Sequence, residues 1–168
     1  VGDIDFIFSK EDYPRAIELL TKNEYNSEYE IIKYFLTKIR HYPRLTNKSK
    51  IAAIEIHKEL LIKKYAQEFN YNFIKDSVQI LHGISVLSFK NQLSLTITAI
   101  QINDYGFYNR SLVLRNAYDV FLLSKKTTAK NAFKKFNRLQ HPLNCFLASC
   151  FEVFNKPKTL LYTNSKKI

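Results

Sequence analysis

A chain of 168 residues that is 46% hydrophobic and 14% aromatic can bury a real core, which excludes a disordered polymer and bounds it to one domain, or one domain with a small appendage. Three Gly and four Pro favour helices over a turn-rich β architecture, and no apolar run approaches ~18 residues, which excludes a membrane-spanning helix. The net charge of +11 is unevenly placed: residues 125–168 carry ten Lys/Arg and one acid, Glu152.

Asp3 to Phe8 reads as a strand, apolar, β-branched and aromatic around two acids. Side chains two apart on a strand share a face, so Asp3 and Asp5 lie together, and Ile4 and Phe6 are expected to anchor the other face in a core. Two carboxylates held this close are costly unless a cation sits between them, and a hard divalent ion such as Mg²⁺ is the usual solution. The plainer alternative is a strand entering a surface turn with both acids solvated. Ser9 to Asp12 reads as a capping box, with Pro14 in the first turn of an amphipathic helix through Lys22. Residues 28–39 fit a helical stripe through Ile31, Ile32, Phe35, Leu36 and Ile39.

Pro43 keeps His41 to Leu45 out of a helix interior, and residues 46–49 read as a turn. The alternation Ile54, Glu55, Ile56, His57 reads as a strand with the isoleucines inward and Glu55 and His57 on the opposite face. A helix over residues 50–67 competes for the same stretch; the strand is the preferred reading up to His57, with helix beyond. The remainder reads as helical. Ser88 caps a helix through Ile102, and a loop follows at residues 103–106. A helix over 110–124 turns Leu112, Val113, Ala117, Tyr118, Phe121 and Leu122 inward, with Asp119 placed to pair with Arg115. Two further helices flank Pro142. Cys145 and Cys150, five apart on one helix, read as ordinary thiols rather than a disulfide or a metal site.

A strand bearing Asp3 and Asp5, then a helix, then a strand bearing Glu55 puts three carboxylates on neighbouring strands. Such a set can hold two divalent ions for an in-line displacement at an α-phosphate. The segments Gly2-Asp3-Ile4-Asp5-Phe6-Ile7, Arg15 to Leu20, His41 to Leu45, Ile54 to Leu60, Leu87 to Leu93 and Val113 to Val120 resemble the polymerase-beta-like nucleotidyltransferase superfamily. More narrowly they resemble its poorly characterised bacterial group. The resemblance implies an α+β fold: a small mixed sheet over residues 1–60, then a helical, basic region over 61–168. It implies Asp3, Asp5 and Glu55 as catalytic metal ligands for Mg²⁺ or Mn²⁺, a nucleoside triphosphate as donor, and an acceptor that is a small molecule, a protein or an RNA. His57, His41 and Lys58 would contact substrate; His57 also reads as a histidine satisfied at a strand end, and His41 as a hairpin residue. His82 and His141 read as structural.

Enzymes of that superfamily carry a phosphate-holding Gly-Ser turn at a helix N-terminus about ten residues before the Asp-x-Asp strand. This chain starts at Val1, so it reads as N-terminally incomplete, either processed or a fragment. Two other classes of function stay open. One is an antitoxin-like relative that pairs with a helical protein. The other is a non-catalytic binder of polyanions through residues 125–168, although a Lys-rich stretch is equally an ordinary solvated surface. With neither a secretory leader nor an anchor in view, a cytoplasmic location is expected.

Overall fold

A computed structural model describes residues 2–27 and 40–161, so the expected helix over 28–39 lies outside the described residues. The fold is α+β, and it divides into two compact units. Unit 1 comprises residues 1–66 with 70–72, and unit 2 comprises 67–69 with 73–168.

Among the described residues, unit 1 is a four-stranded mixed sheet with a helix on one face. Its strands are β1 (Asp3–Ile7), β2 (Asn26–Ser27), β3 (Leu45–Thr46) and β4 (Ala53–His57), in the spatial order β1-β4-β3-β2. β1 runs parallel to β4, pairing Asp3 with Ala53, Asp5 with Glu55 and Ile7 with His57. The expected capping box is made only in part: Ser9 Oγ accepts the Asp12 N–H at 3.0 Å and donates to Asp12 Oδ2 at 2.8 Å, while the N-cap residue of the helix is Asp12, with no side-chain cap bond. Helix α1 (Tyr13–Lys22) follows, with Pro14 in its first turn, where a missing N–H costs nothing. Ala16, Ile17 and Leu20 of α1 pack on a core of Leu45, Ile54 and Ile56. Ile54 and Ile56 are buried while Glu55 and His57 face the other side, as the alternation requires. Ile4 and Phe6 depart from expectation. They remain 47% and 37% exposed, because β1 is the edge strand and α1 packs over its neighbours.

The segment before β3 runs antiparallel to β4. His41 bridges His57, and the Tyr42 N–H bonds the Ile56 carbonyl at 2.8 Å. Pro43 has no N–H to give, so the ladder breaks there and resumes at Leu45. The helix expected directly after His57 does not form. The Lys58 and Glu59 N–H groups both bond the Arg40 carbonyl, which keeps the chain extended as it leaves β4. A 3₁₀ turn (Lys63–Tyr65) and the single-turn helix α2 (Tyr71–Ile74) follow.

Residues 78–87 are the main departure from a helical second half. They form a hairpin, β5 (Val78–Leu81) and β6 (Ile84–Leu87), joined by His82 and Gly83. Both joining residues have positive φ, as a two-residue hairpin turn needs. The β-branched run on either side of a residue-Gly pair is the signal for it. Next come α3 (Phe89–Thr98) and a π-helical turn (Ala99–Asn103). Helix α4 (Leu114–Ser124) starts four residues later than expected, because Arg110 takes φ +52° and Val113 is extended. It buries Ala117, Val120 and Ser124, whereas Val113, Tyr118 and Leu122 of the expected stripe are exposed. Among the described residues no ion pair joins Arg115 to Asp119. Helix α5 (Ala129–Phe133) is capped by Thr128, whose Oγ1 accepts the Asn131 N–H. Helix α6 (Gln140–Val153) holds Pro142 in its first turn rather than beside it, and carries both free cysteines.

The core of unit 2 joins Leu93 and Ile97 of α3, Ala132 of α5 and Leu143 and Leu147 of α6. Phe69, Phe73 and Phe136 form an aromatic cluster, with ring centroids 5.2–5.5 Å apart. In α3, Ser94 Oγ donates to the Ala132 carbonyl and Asn91 Nδ2 to Ser77 Oγ, whereas Asn91 Oδ1 is buried with no hydrogen-bond partner among the described residues. Among the described residues no helix is long and apolar enough to cross a membrane.

Candidate metal centre on the exposed sheet face

The pairing of β1 with β4 sets the site. Parallel register puts Asp5 beside Glu55, and the two-residue period of β4 puts His57 on the same face as Glu55. His57 Nε2 lies 3.0 Å from Asp5 Oδ1 and 3.6 Å from Glu55 Oε2. One potential ligand atom each from Asp5, Glu55 and His57 falls within 4.8 Å of the others. His41 enters from the neighbouring segment, with Nδ1 3.7 Å from Glu55 Oε2 and its ring centroid 5.0 Å from that of His57. Its Nδ1 also lies 2.9 Å from the Tyr42 carbonyl oxygen.

The environment is graded. The His57 side chain is 14% exposed and Glu55 20%, whereas Asp5 is 67% exposed at the sheet edge. Beside an ionised Asp5, the His57 nitrogen must be the donor, since a carboxylate only accepts. That hydrogen bond holds the Asp5 carboxyl below the ordinary 3.8; partial burial opposes the shift, and the charges of His57, His41 and Arg40 add to it. Asp5 is thus kept ionised and held by its partner.

The residues singled out by sequence fall in different places. Asp5, Glu55 and His57 converge, and His41 stands beside them. Asp3 lies on the same face of β1, two residues along, and Arg44 Nη2 contacts its Oδ1 at 3.2 Å. Lys58 follows β4 directly and is not part of the converging group. His57, read from the sequence as lying on the face of Glu55 and able to contact substrate or order a ligand, stands with the two carboxylates. One feature went unread in the sequence. Arg44 occupies Asp3, and no local pattern encodes that pairing across the hairpin.

The donor set is two carboxylate oxygens and one imidazole nitrogen. Two hard oxygens suit Mg²⁺ or Mn²⁺, and an imidazole beside them either ligates directly or orients a ligating carboxylate. The residues present therefore fit a divalent cation.

No curated protein and no solved structure matches the chain. A family model described as an uncharacterised nucleotidyltransferase matches residues 1–153, which takes in both β1 and β4 and nearly all of the helical unit. With its paired acidic strands inside that span, the chain belongs to this nucleotidyltransferase family.

Proposed function

We propose that the protein transfers a nucleoside monophosphate from a nucleoside triphosphate to a hydroxyl group, using divalent cations held on the exposed face of β1 and β4. The single observation that carries the reading is the convergence of Asp5, Glu55 and His57 within 4.8 Å on adjoining strands of a nucleotidyltransferase-family chain. In the reaction the acceptor hydroxyl gives up its proton to water, its oxygen bonds to the α-phosphorus, the bond to pyrophosphate breaks, and pyrophosphate leaves with the electron pair. Bound cations supply charge neutralisation at the phosphates and activation of the attacking oxygen.

The protein side chains have separate tasks in this reading. Asp5 and Glu55 hold the cation. His57 keeps Asp5 ionised through its hydrogen bond to Oδ1. Asp3 completes the carboxylate set on the same face, and its contact with Arg44 neutralises it meanwhile. His41 and Lys58 are proposed contacts for the substrate. The acceptor belongs to one of three classes, a small molecule, a protein or an RNA end.

Calorimetric titration of nucleoside triphosphates with Mg²⁺ or Mn²⁺ tests the proposal. Binding should require the metal and should be lost in Asp5→Asn/Glu55→Gln. Metal-independent binding that survives in the double variant would dismiss the carboxylate site.

A further inference from the structure

Helices α5 and α6 border a cavity of about 780 Å³, wholly within unit 2. Its wall follows from helical period. α5 turns Ala129 and Ala132 into the core, which leaves Lys130, Asn131 and Lys134 on its outer side. α6 buries Leu143, Phe146, Leu147 and Cys150, which leaves Gln140, His141 and Asn144 facing the same space. Phe133 and Leu147 supply an apolar floor.

The cavity is charged on one side only. No acid lines it. Among the described residues neither Lys130 nor Lys134 has an ion-pair partner, and Glu68 has both carboxylate oxygens on the N–H groups of Asn137 and Arg138. Two ammonium groups four residues apart, Lys130 on α5 and Lys134 at its C-cap, repel each other unless an anion lies between them. Part of the wall is fixed in place. His141 stands edge-on to Phe107 at 5.5 Å, and Gln140 Nε2 donates to the Phe136 carbonyl at 2.6 Å.

We infer that this cavity is a binding site for a small phosphate ester carrying a ring. Lys130 and Lys134 hold the phosphate, the ring rests on Phe133 and Leu147, and the Asn131 and Asn144 amides meet its polar edges. The volume falls in the range of about 300–1,000 Å³ that small-ligand sites occupy, and a concave, walled space suits a compact ligand rather than a nucleic-acid strand. The inference does not rest on the carboxylate site, because none of its residues belongs to unit 1.

The test is calorimetric titration of the full chain with AMP, UMP and flavin mononucleotide in EDTA, which removes any contribution from a divalent cation. At least one should bind saturably with one-to-one stoichiometry. Lys130→Glu/Lys134→Glu should weaken that binding by about tenfold or more, since charge-assisted contacts to phosphate are lost. Lys126→Glu/Lys158→Glu makes the same charge change outside the cavity and should leave affinity within about twofold. Circular dichroism checks that both variants fold. Asp5→Asn/Glu55→Gln should bind as the wild type does, which separates this site from the carboxylate one. Failure of all three probes to saturate, or equal losses in both lysine pairs, overturns the inference; equal losses identify a diffuse basic surface.

Discussion

At the scale of single residues, the site is a contest among partners for two exposed acids. Asp5 gains a hydrogen bond from His57, and Asp3 gains an arginine. His57→Ala should keep the fold yet weaken Mn²⁺ affinity by about 10–100-fold, the range expected when the partner that orients a ligating group is removed. Titration of Mn²⁺ followed by electron paramagnetic resonance reads this directly. The cysteines make a second case. Burial pushes the Cys150 thiol up to about 12, and it also raises Cys145, which is only partly buried. The thiolate is the reactive form, so the sign is clear: Cys150 should stay inert to maleimide from pH 7 to 9, and Cys145 should react first. Mass spectrometry of native and unfolded protein separates the two sites. The partition of roles between Asp3 and Asp5 was not legible in sequence. Both sit at equivalent positions of one strand face, and what distinguishes them comes from residues 41 and 52 positions away.

At the scale of elements, local chemistry explains most boundaries and a few close contacts explain the rest. Thr128 caps α5, so Thr128→Ala should cost about 1 kcal/mol by urea denaturation. Gly106 closes the π-helical turn, where its N–H bonds the Ile100 carbonyl at 2.9 Å. A Cβ there would lie 2.8 Å from that carbonyl oxygen and 2.9 Å from Gln101 Nε2. Gly106→Ala should therefore destabilise by about 1–3 kcal/mol, the usual cost of overpacking. The strands β1 and β4 and the helices α1, α3 and α6 were legible because each is written in adjacent residues. The hairpin over 78–87 was missed although its turn pair is local, since an apolar run beside helices is ambiguous by period alone.

At the scale of the whole molecule, each unit has its own core. In unit 2, Phe136 is fully buried against Phe69 and Phe73, so Phe136→Ala should cost about 3–5 kcal/mol, measured by denaturant titration of the near-ultraviolet signal. Taken alone, the sequence determined the acid-bearing strands, the inward and outward faces of β4, and a basic C-terminal quarter. All of these follow from period-two and helical patterns or from simple charge, which neighbouring residues carry. Only the tertiary structure decided that β1 is an edge strand that leaves Ile4 and Phe6 exposed, that Arg44 takes Asp3 while His57 takes Asp5, and that α5 and α6 border a cavity that no acid lines among the described residues. Those outcomes depend on which distant segments lie side by side, and side-chain pairing across such contacts leaves no periodic trace in the chain.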